Sequence, residues 1–391
     1  MPPVHLLTFS TLFPNSEQPN HGVFVRNRLR HLLASGAALA EVVAPVPYFP
    51  SGAPMFGHWG RLARVARREN SHGITVHHPH YPVIPRVGMS LAPALLYAAT
   101  LPFVRRLLDR GLRVDAIDAH YFYPDGVAAV WLGQKLGLPV VVTARGTDVN
   151  LIPAYAVPRR LIRGAAAGAA ALVAVSAALK SALTDLGVPA EKVTVLRNGV
   201  DVSLFRPPAD RHAARAALGL AGPTIISVGG LVERKGHHLA IEALRDLPDW
   251  TLLIVGEGPE RPRLLALIDR LRLHGRARLL GPRPHAELPA LYGAADVLVL
   301  ASSREGWANV LLESMACGTP VVATNIWGNP EVVQTNDAGV IVERTAPAIA
   351  EGVRRLAAAP PSRAATRAYA EGFSWDETTS GQLALFRQVI K

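Results

Sequence analysis

Residues 305–324 read E-G-W-A-N-V-L-L-E-S-M-A-C-G-T-P-V-V-A-T, which joins two acids, a helix start and a Gly-Thr-Pro turn into an apolar strand. If the helix begins near Asn309, the first amides of the helix have no intrahelical partner and can hold a phosphate. Glu313 lies about one turn inside, where its carboxylate can accept hydrogen bonds from sugar hydroxyls. Taken alone, the spacing of Glu305 and Glu313 is more typical of two solvated acids. Whether the two acids form a binding site therefore depends on motifs elsewhere in the chain.

The length and composition indicate two well-packed domains. The chain has 391 residues, and single cores stop growing near about 250–300 residues. Apolar residues make up 49% of the chain and charged residues 18%, which excludes a disordered or low-complexity class. Cys317 is the only cysteine, so a disulfide within the chain and a cysteine metal cluster are excluded. We expect a reducing cytoplasm and a buried, structural role for Cys317.

Short apolar runs alternate with segments of helical length throughout the chain. The predicted strands are 4–9, 41–45, 116–119, 140–143, 172–175, 193–196, 224–228, 252–255, 278–280, 297–300, 320–323 and 339–342. Such alternation predicts parallel sheets covered by helices on both faces. The pattern occurs twice and breaks after R-N-G-V-D at 197–201.

The predicted fold class is therefore α/β, with two facing, doubly wound, Rossmann-like domains. We place the first domain at 1–197 and the second at 198–372, and we expect the C-terminal segment 373–391 to pack on the first. A ligand cleft is expected between the domains, at the carboxyl ends of the strands.

The positive charge is concentrated in the first half of the chain. The net charge is +11, and residues 1–200 contain 20 Lys and Arg against 10 Asp and Glu, a balance of +10. A field of this sign favours polyanions, including nucleic acid, anionic lipid headgroups and phosphorylated substrates.

The hydrophobic pattern predicts no membrane span or signal peptide. The N-terminus lacks a basic n-region. The apolar stretch 89–104 is interrupted by Pro93 and Pro102 and is shorter than the ~20 residues that a span needs. We expect a soluble or peripheral protein.

Three loops of the first half follow predicted strands and carry candidate site residues. Gly22 precedes the first helix and can let backbone approach a ligand, although a plain flexible loop explains it equally well. His120 ends a strand and can contact a sugar hydroxyl or a phosphate, while a structural histidine is the commoner case. Arg145 and Asp148 belong to T-A-R-G-T-D at 143–148, a polar cluster directly after a buried strand.

The second half has glycine-rich turns at its predicted strand ends. V-G-G-L-V-E-R-K-G at 228–236 places Gly230 in a tight turn ahead of Arg234 and Lys235, which can neutralise a diphosphate. Glu257 and Gly281 lie in two further compact turns that can pack against a flat ring. Each turn alone is common in doubly wound folds, and their order is the informative feature.

In this order the motifs resemble the family 4 glycosyltransferases, which have the GT-B fold and transfer sugar from nucleotide-sugar donors with retention. The resemblance covers nearly the whole chain: the Gly22 loop, R-N-G-V-D, V-x-R-K-G, G-E-G-P, and the helix with two acids followed by G-T-P-V-V-A-T. The first half is most similar to bacterial members that build cell-surface polysaccharide, including the teichuronic acid type.

The resemblance implies a role for each matching residue. Arg234 and Lys235 would hold the donor diphosphate, and Glu305 would hold hydroxyls of the transferred sugar. The remaining donor-binding positions would be Gly22, Gly230, Glu257, Gly281, Asn309, Val310, Leu311 and Glu313, with Glu313 on the ribose and Glu257 and Gly281 near the base.

Position 145 departs from the family pattern. Many members have a histidine in this loop, whereas this chain has Arg145. We assign Arg145 to charge stabilisation or acceptor binding, His120 to the same catalytic region, and Asp148 to the acceptor side.

The expected chemistry needs no cofactor, since the nucleotide sugar is a substrate. Arg234, Lys235 and the helix amides can stabilise the leaving diphosphate, with single donors each worth roughly 3 kcal/mol. The chain has no D-x-D motif to hold a metal, and we expect none.

Residues 55–68 are predicted to form a helix that is apolar on one side and basic on another. Trp59 lies on the apolar side, with Arg64, Arg67 and Arg68 close by. This pattern is typical of a helix that contacts an anionic membrane surface, here beside a lipid-linked acceptor. An ordinary helix packed on the first domain explains the pattern equally well.

Two other functions compete with glycosyl transfer. A nucleotide-sugar epimerase shares the two-domain form, but the acids at 305 and 313 together with R-K-G argue against it. Nucleic-acid binding fits the basic first half and leaves the second-half motifs unexplained, so we expect no nucleic-acid partner. UDP is the expected nucleotide, and the sugar and acceptor are not fixed by sequence.

Overall fold

A computed structural model of the chain describes residues 2–84 and 88–390. These residues form two compact units. Unit 1 comprises Met1–Arg197 and Asp376–Lys391, and unit 2 comprises Asn198–Trp375.

Unit 1 is built on one large sheet and one small one. Its strands are β1 (Val4–Phe9), β2 (Ala38–Val43), β3 (Val46–Pro47), β4 (Arg68–Ser71), β5 (Ile74–His77), β6 (His80–Tyr81), β7 (Ala116–His120), β8 (Val140–Ala144), β9 (Ala171–Ala174) and β10 (Val193–Val195). The large sheet has the order β10-β9-β8-β7-β1-β2-β5-β4, and β3 pairs with β6 separately. Neighbours are parallel except at the edge, where β4 runs antiparallel to β5.

The helices of unit 1 cover this sheet. They are α1 (Val23–Ala34), α2 (Gly57–Arg64), α3 (Gly88–Asp109), α4 (Val127–Leu136), α5 (Thr147–Asn150), α6 (Ala156–Gly168) and α7 (Ala177–Asp185). Strands such as β7 and β8 are buried along their whole length, as parallel strands between helix layers must be. Leu383 and Phe386, from a C-terminal helix, belong to the same core as Leu6 and Val25.

Unit 2 contains a six-stranded parallel sheet. Its strands are β11 (Thr224–Val228), β12 (Thr251–Val255), β13 (Ala277–Gly281), β14 (Val297–Leu300), β15 (Val321–Thr324) and β16 (Gly339–Val342). The strand order is β13-β12-β11-β14-β15-β16. From β11 the chain moves to one edge of the sheet through β12 and β13, and from β14 it moves to the opposite edge through β15 and β16. This arrangement creates a topological switch point between β11 and β14, where doubly wound folds bind ligands.

The helices of unit 2 are α8 (Arg211–Ala217), α9 (His237–Ala243), α10 (Arg261–Arg270), α11 (Leu288–Ala294), α12 (Asn309–Ala316), α13 (Asn329–Val332), α14 (Ala346–Ala358) and α15 (Arg363–Glu371). Several begin at side-chain caps: Asp210, Thr345 and Ser362 each accept a hydrogen bond from an amide in the first turn. The C-terminal helix α16 (Trp375–Val389) closes the chain.

The predicted alternation of strands and helices is confirmed. The strands predicted at 4–9, 224–228, 297–300 and 339–342 have the same bounds in the structure. The short strands β3, β4, β5 and β6 were not predicted; none is longer than four residues, and β4, which reads R-E-N-S, contains no apolar residue.

The helix predicted at 55–68 is wrong in its second half. Helix α2 ends at Arg64, and Arg68 already starts the edge strand β4. Val65 and Leu62 are buried with Val46, which fixes the end of the helix against the domain.

The prediction that prolines interrupt the apolar stretch 89–104 is also wrong. Helix α3 runs for 22 residues through both Pro93 and Pro102. Proline lacks the N–H that would bond the carbonyl four residues earlier. In the case of Pro93 that carbonyl belongs to Met89, and the hydroxyl of Tyr123 donates to it instead. By length and composition alone, α3 could cross a membrane.

Candidate functional site

The switch point of unit 2 is bridged by an ion pair between the loops that follow β11 and β14. Lys235 lies in a 3₁₀ turn after β11, and Glu305 lies in the loop after β14. The ammonium Nζ of Lys235 is 2.5 Å from Oε1 of Glu305. The sequence placed both residues in one site, and the structure brings them into direct contact.

Three groups hold one oxygen of the Glu305 carboxylate. Besides Lys235, the hydroxyl of Ser302 donates to Oε1 at 2.6 Å, and Arg234 lies 3.4 Å from the same oxygen. Burial acts to raise the pKa of Glu305, but Lys235 and Arg234 hold that pKa below its usual value. Glu305 is therefore ionised and fixed in orientation. The sequence analysis missed Ser302, whose position two residues after β14 was the available signal.

The turn that carries Arg234 and Lys235 is locked in place by Gly236. This residue has a φ of 70°, and a Cβ there would lie 2.0 Å from the carbonyl oxygen of Ala301. Arg234 donates to the carbonyl of Arg304 at 2.7 Å. Both basic residues are thus tied to the loop after β14.

Glycines also bring the loops after β11 and β12 together. A Cβ on Gly256 would lie 1.9 Å from the carbonyl oxygen of Gly229, so only glycine fits at 256. The amide of Leu231 donates to the carbonyl of Glu257 at 2.8 Å, beside Gly230. Gly281, at the end of β13, accepts a hydrogen bond from the Gly256 amide at 3.0 Å. The predicted base-contacting turns are therefore adjacent to one another.

The helix start predicted near Asn309 is confirmed, with one correction. Helix α12 begins at Asn309 and has no side-chain cap. The amide of Leu311 already donates to the carbonyl of Ala308 at 3.0 Å, so it is not available to a phosphate. The amides of Asn309 and Val310 stay at the open end of the helix.

Glu313 is held by two residues that the sequence analysis missed. The hydroxyl of Tyr292 donates to Oε2 at 2.9 Å, and Nε2 of His285 lies 3.4 Å from Oε1. Burial, reinforced by Glu313, raises the pKa of the Tyr292 hydroxyl well above its usual range, so Tyr292 remains a donor. The ring of Phe205 packs edge-on against His285 at 5.0 Å. These residues are distant in sequence, and no local pattern marks them.

In unit 1, His120 and Arg145 lie together at the carboxyl ends of β7 and β8. Nη2 of Arg145 is 2.8 Å from Nδ1 of His120, and Nε2 of His120 is 3.0 Å from Oδ2 of Asp118. Because a guanidinium only donates, Nδ1 accepts and Nε2–H donates to Asp118. Burial lowers the pKa of His120 to about 4, so the imidazole is neutral.

His120 is therefore placed to hold Arg145. The ring is fully buried and both of its nitrogens have partners, as in the structural role that the sequence analysis gave as the commoner case for His120. The guanidinium of Arg145 also lies over the ring of Phe24, 5.4 Å from its centroid. Burial lowers the pKa of Arg145 to about 10, which leaves it charged at neutral pH.

Asp148 is also buried and holds the loop that carries Arg145. Its carboxylate accepts from the amides of Phe122 and Gly146, each at 2.6 Å, and from the Arg145 amide at 3.1 Å. Asp148 was assigned to the acceptor side, and in the structure its side chain is fully buried and supports the loop.

Gly22 has a steric reason for being glycine. Its φ is 68°, and a Cβ would lie 2.3 Å from the backbone of Leu12. Nearby, the carboxylate of Asp125 accepts from the amide and hydroxyl of Thr11, at 3.1 and 2.9 Å. The loop after β1 is thus fixed to the loop after β7, across the switch point of this sheet.

The residues predicted for membrane contact are exposed but not arranged on one helix. Trp59 and Arg64 lie on α2, whereas Arg67 and Arg68 lie beyond its end. Arg64 forms a 2.6 Å ion pair with Glu17. The continuous basic face predicted for 55–68 does not form.

Comparison with known proteins assigns both halves of the chain. Residues 80–204 match Glycosyltransferase Family 4, and residues 210–373 match Glycosyl transferases group 1. Both matched families are glycosyltransferase families, and together the matches support a family 4/group 1 glycosyltransferase. Its two α/β units with parallel sheets are those of the GT-B fold.

A curated relative supports the same family. D-inositol 3-phosphate glycosyltransferase of Mycobacterium leprae is 36% identical over 215 residues, which are 51% of this chain and 50% of the relative. The match thus spans about half the length of that protein.

Solved structures support the GT-B fold over nearly the whole chain. Sucrose-phosphate synthase from Thermosynechococcus elongatus has a TM-score of 0.79 at 22% identity, covering 99% of this chain and 98% of that one. Anabaena Alr3699/HepE in complex with UDP and glucose has a TM-score of 0.74 at 22% identity, covering 98% of this chain and 100% of that one.

The candidate site of unit 2 combines fixed cations with fixed carboxylates. Lys235, Arg234 and the open end of α12 offer positive charge at the carboxyl edge of the unit 2 sheet. Glu305 and Glu313 are each held by at least two donors, so their remaining acceptor capacity points in fixed directions. Such an arrangement can bind a diphosphate and orient hydroxyls.

Proposed function

We propose that the protein transfers a sugar, with retention, from a nucleotide-sugar donor to a hydroxyl of a glycan or lipid-linked acceptor in cell-surface polysaccharide synthesis. The observation that supports this most directly is the cluster of Lys235, Arg234 and Ser302 on one oxygen of Glu305. Among the described residues, every one of these contacts goes to Oε1. Oε2 is therefore the oxygen that would accept from a sugar hydroxyl.

In the proposed reaction, the bond between the anomeric carbon and the diphosphate oxygen breaks while an acceptor oxygen bonds to the same face. The proton of the acceptor hydroxyl passes to the departing diphosphate. Lys235 has three N–H donors and uses one on Glu305, so it can also donate to the diphosphate. Arg234 and the amides of Asn309 and Val310 would complete this cradle, aimed at the charge that develops.

Glu313 would bind the ribose of the donor. Its carboxylate is oriented by Tyr292 and His285 on the face of α12 next to α11. The turns at Gly230, Glu257 and Gly281 would contact the base through backbone groups. In unit 1, Arg145 would stabilise charge or bind the acceptor. His120 holds its guanidinium, and Asp118 in turn accepts a hydrogen bond from His120.

We propose that the reaction needs no metal and no cofactor, because the fixed cations already neutralise the diphosphate. UDP is the proposed nucleotide, since the fold-related Anabaena protein binds UDP. We further propose a cytoplasmic location with peripheral attachment to the inner face of the membrane, where a lipid-linked acceptor would be reached.

Thermal unfolding with nucleotides tests the donor site. The protein would be heated with UDP, GDP or ADP at about 100 times the dissociation constant, where binding stabilises by about 2.7 kcal/mol. We expect one nucleotide, UDP, to raise Tm by several degrees. The shift should be lost in Lys235→Ala and in Glu313→Ala and kept in Lys192→Ala, a matched change in unit 1.

Failure of every nucleotide to shift Tm would contradict the proposed donor site, and so would an equal shift in all variants. A shift with ADP or GDP alone would overturn the choice of UDP and keep the site. Radiolabelled transfer from the matching nucleotide sugar would then test the acceptor, with a lipid-linked glycan and D-inositol 3-phosphate as separate arms.

A further inference from the structure

A buried histidine lies beside the turn at Gly229–Gly230, which follows β11 and which we name the glycine turn. His237 is the first residue of α9, and the motif V-x-R-K-G ends one residue before it. Only 2% of its surface is accessible, so the ring is not available to a substrate. Buried polar side chains usually have partners, and the surroundings of His237 therefore show which parts of the site the ring supports.

One ring nitrogen of His237 is bonded to the sheet. Nδ1 lies 2.9 Å from the hydroxyl oxygen of Ser227, a residue of β11 that is also buried, at 2%. Ser227 lies two residues before the glycine turn, and His237 lies at the start of the helix that follows it. The contact thus ties the two ends of the loop together.

The other side of the ring faces the glycine turn. Burial, followed by the charge of Lys235, lowers the pKa of His237 to about 4, so the ring is neutral at physiological pH. The backbone of Gly230 and of Gly229 acts in the opposite direction on this pKa, as carbonyl acceptors beside a ring N–H do. Nε2 is buried and has no fully formed hydrogen bond among the described residues, so the turn supplies the acceptors that it faces. Nε2 therefore carries the proton, and Nδ1 accepts from the Ser227 hydroxyl.

The side chain of Lys235 packs on the same turn. A Cβ on Gly229 would lie 3.4 Å from both Cδ and Cε of Lys235, so the stem of the lysine crosses this glycine. Beyond the stem, the ammonium reaches Oε1 of Glu305. The glycine turn is thus in contact with the ring of His237 and with the stem of Lys235, and a shift of the turn would move the ammonium.

We infer that His237 is a positioning residue: with Ser227 it fixes the glycine turn and so directs the Lys235 ammonium towards the donor diphosphate. This inference rests on the proposed function, because it assigns a support to the proposed diphosphate site. An aliphatic side chain of similar size would fill the space of the ring but would hold neither the Ser227 hydroxyl nor the carbonyls of the turn. Since His237 acts through Lys235, its effect on the ligand should disappear when Lys235 is removed.

A double-mutant cycle on nucleotide affinity tests this role. Calorimetric titration would measure binding of UDP, or of whichever nucleoside diphosphate raises Tm, to the natural protein, His237→Leu, Lys235→Ala and the double variant. We expect His237→Leu to weaken binding by about five- to tenfold. In the Lys235→Ala background the same change should have less than about a twofold effect, because no ammonium is left to position. Ser227→Ala keeps the ring and should weaken binding by about threefold, again only when Lys235 is present.

His78→Leu is the matched control. His78 is also buried, at 1%, and its Nδ1 lies 2.9 Å from the carbonyl of Ala44 in unit 1. This change should lower Tm and leave nucleotide affinity unaltered. If His237→Leu does not fold, Ser227→Ala decides by the same comparison with and without Lys235.

Two results would overturn the inference and leave the donor site standing. One is equal nucleotide affinity of the natural protein, His237→Leu and Ser227→Ala. The other is an equal loss of affinity with and without Lys235, which would give His237 a general structural role. Failure of every nucleoside diphosphate to bind the natural protein would instead contradict the proposed donor site, and the inference with it.

Discussion

Nζ of Lys235 lies 2.5 Å from Oε1 of Glu305, which joins the loops on the two sides of the unit 2 switch point. Both side chains are largely buried, with 15% and 10% of their surface accessible. Removing one partner of such a pair leaves a buried charge without compensation, which costs more than the pair itself contributes.

A double-mutant cycle measures this pair. Lys235→Ala should lower the free energy of unfolding by about 3 kcal/mol, because Glu305 loses its nearest cation. Glu305→Gln should cost less, and the double variant should be more stable than the sum of the single changes predicts, by about 1 kcal/mol or more. Urea unfolding gives these values. Strict additivity would show that the two charges do not interact in solution.

Tyr292 should control nucleotide affinity through Glu313. Tyr292→Phe removes the hydroxyl that orients the carboxylate, and we expect nucleotide binding to weaken by about five- to tenfold, the effect of about 1 kcal/mol. Calorimetric titration of the nucleotide checks this. Tyr369→Phe is the control, since that hydroxyl donates to the carbonyl of Val332 elsewhere in unit 2. Equal effects of the two changes would contradict a specific role of Tyr292.

Gly236 is predicted to tolerate no side chain. Gly236→Ala would place a Cβ 2.0 Å from the Ala301 carbonyl, and we expect a loss of about 3 kcal/mol or more in stability. Gly219→Ala is matched in backbone, with a φ of 63°, but has open space around it and should cost only about 1 kcal/mol. A comparison of the two Tm values separates steric overlap from backbone strain. Similar losses would show that the loop after β14 can move.

His120 should make stability fall on acidification. Its pKa is lowered by burial to about 4 in the folded protein, so the unfolded chain binds a proton first as the pH falls below about 6.5. The stabilisation is complete above pH 6.5 and is lost progressively towards pH 4. His120→Gln should reduce the slope of the unfolding free energy against pH by the amount that corresponds to about one bound proton. Urea unfolding at several pH values across this range measures the slope. An unchanged slope would show that His120 is already charged in the folded state.

Asp125 should have the opposite effect. Burial raises its pKa to about 7, so the folded protein keeps a proton that the unfolded chain releases near pH 4. The folded state is therefore penalised increasingly as the pH rises from 4 to 7. Asp125→Asn keeps an acceptor for Thr11, and its stability relative to the natural protein should improve as the pH rises from 5 to 8. A constant difference across this range would contradict the raised pKa.

Local signals in the sequence account for the architecture. Runs such as 224–228 and 297–300 are apolar, short and bounded by turn residues, so a buried strand is the main conformation that satisfies them. The glycines at 229, 236 and 256 mark turns at strand ends, and the structure gives 236 and 256 a steric reason. Glu305 and Lys235 were identified because they lie in loops that follow predicted strands, and Asn309 because it begins a predicted helix.

The contacts between elements that are distant in the sequence could not be predicted from local sequence patterns. His285 and Tyr292 are 28 and 21 residues from Glu313, and they meet it only because α11 packs beside α12. His120 is 25 residues from Arg145, and only the pairing of β7 with β8 brings its buried ring to the guanidinium. Similarly, Pro93 interrupts a helix in isolation, but the Tyr123 hydroxyl satisfies the carbonyl that proline leaves without a donor.

The sequence by itself determined the two α/β domains, their order and the strand-end loops that carry charge, because these follow from hydrophobic period and turn chemistry over a few residues. The tertiary structure alone decided which of those charged residues are buried supports and which face outward. It also decided that Leu62 and Val65 are buried while Trp59, close by in the sequence, is exposed. Burial and contact depend on which elements pack together, and that depends on the whole chain at once.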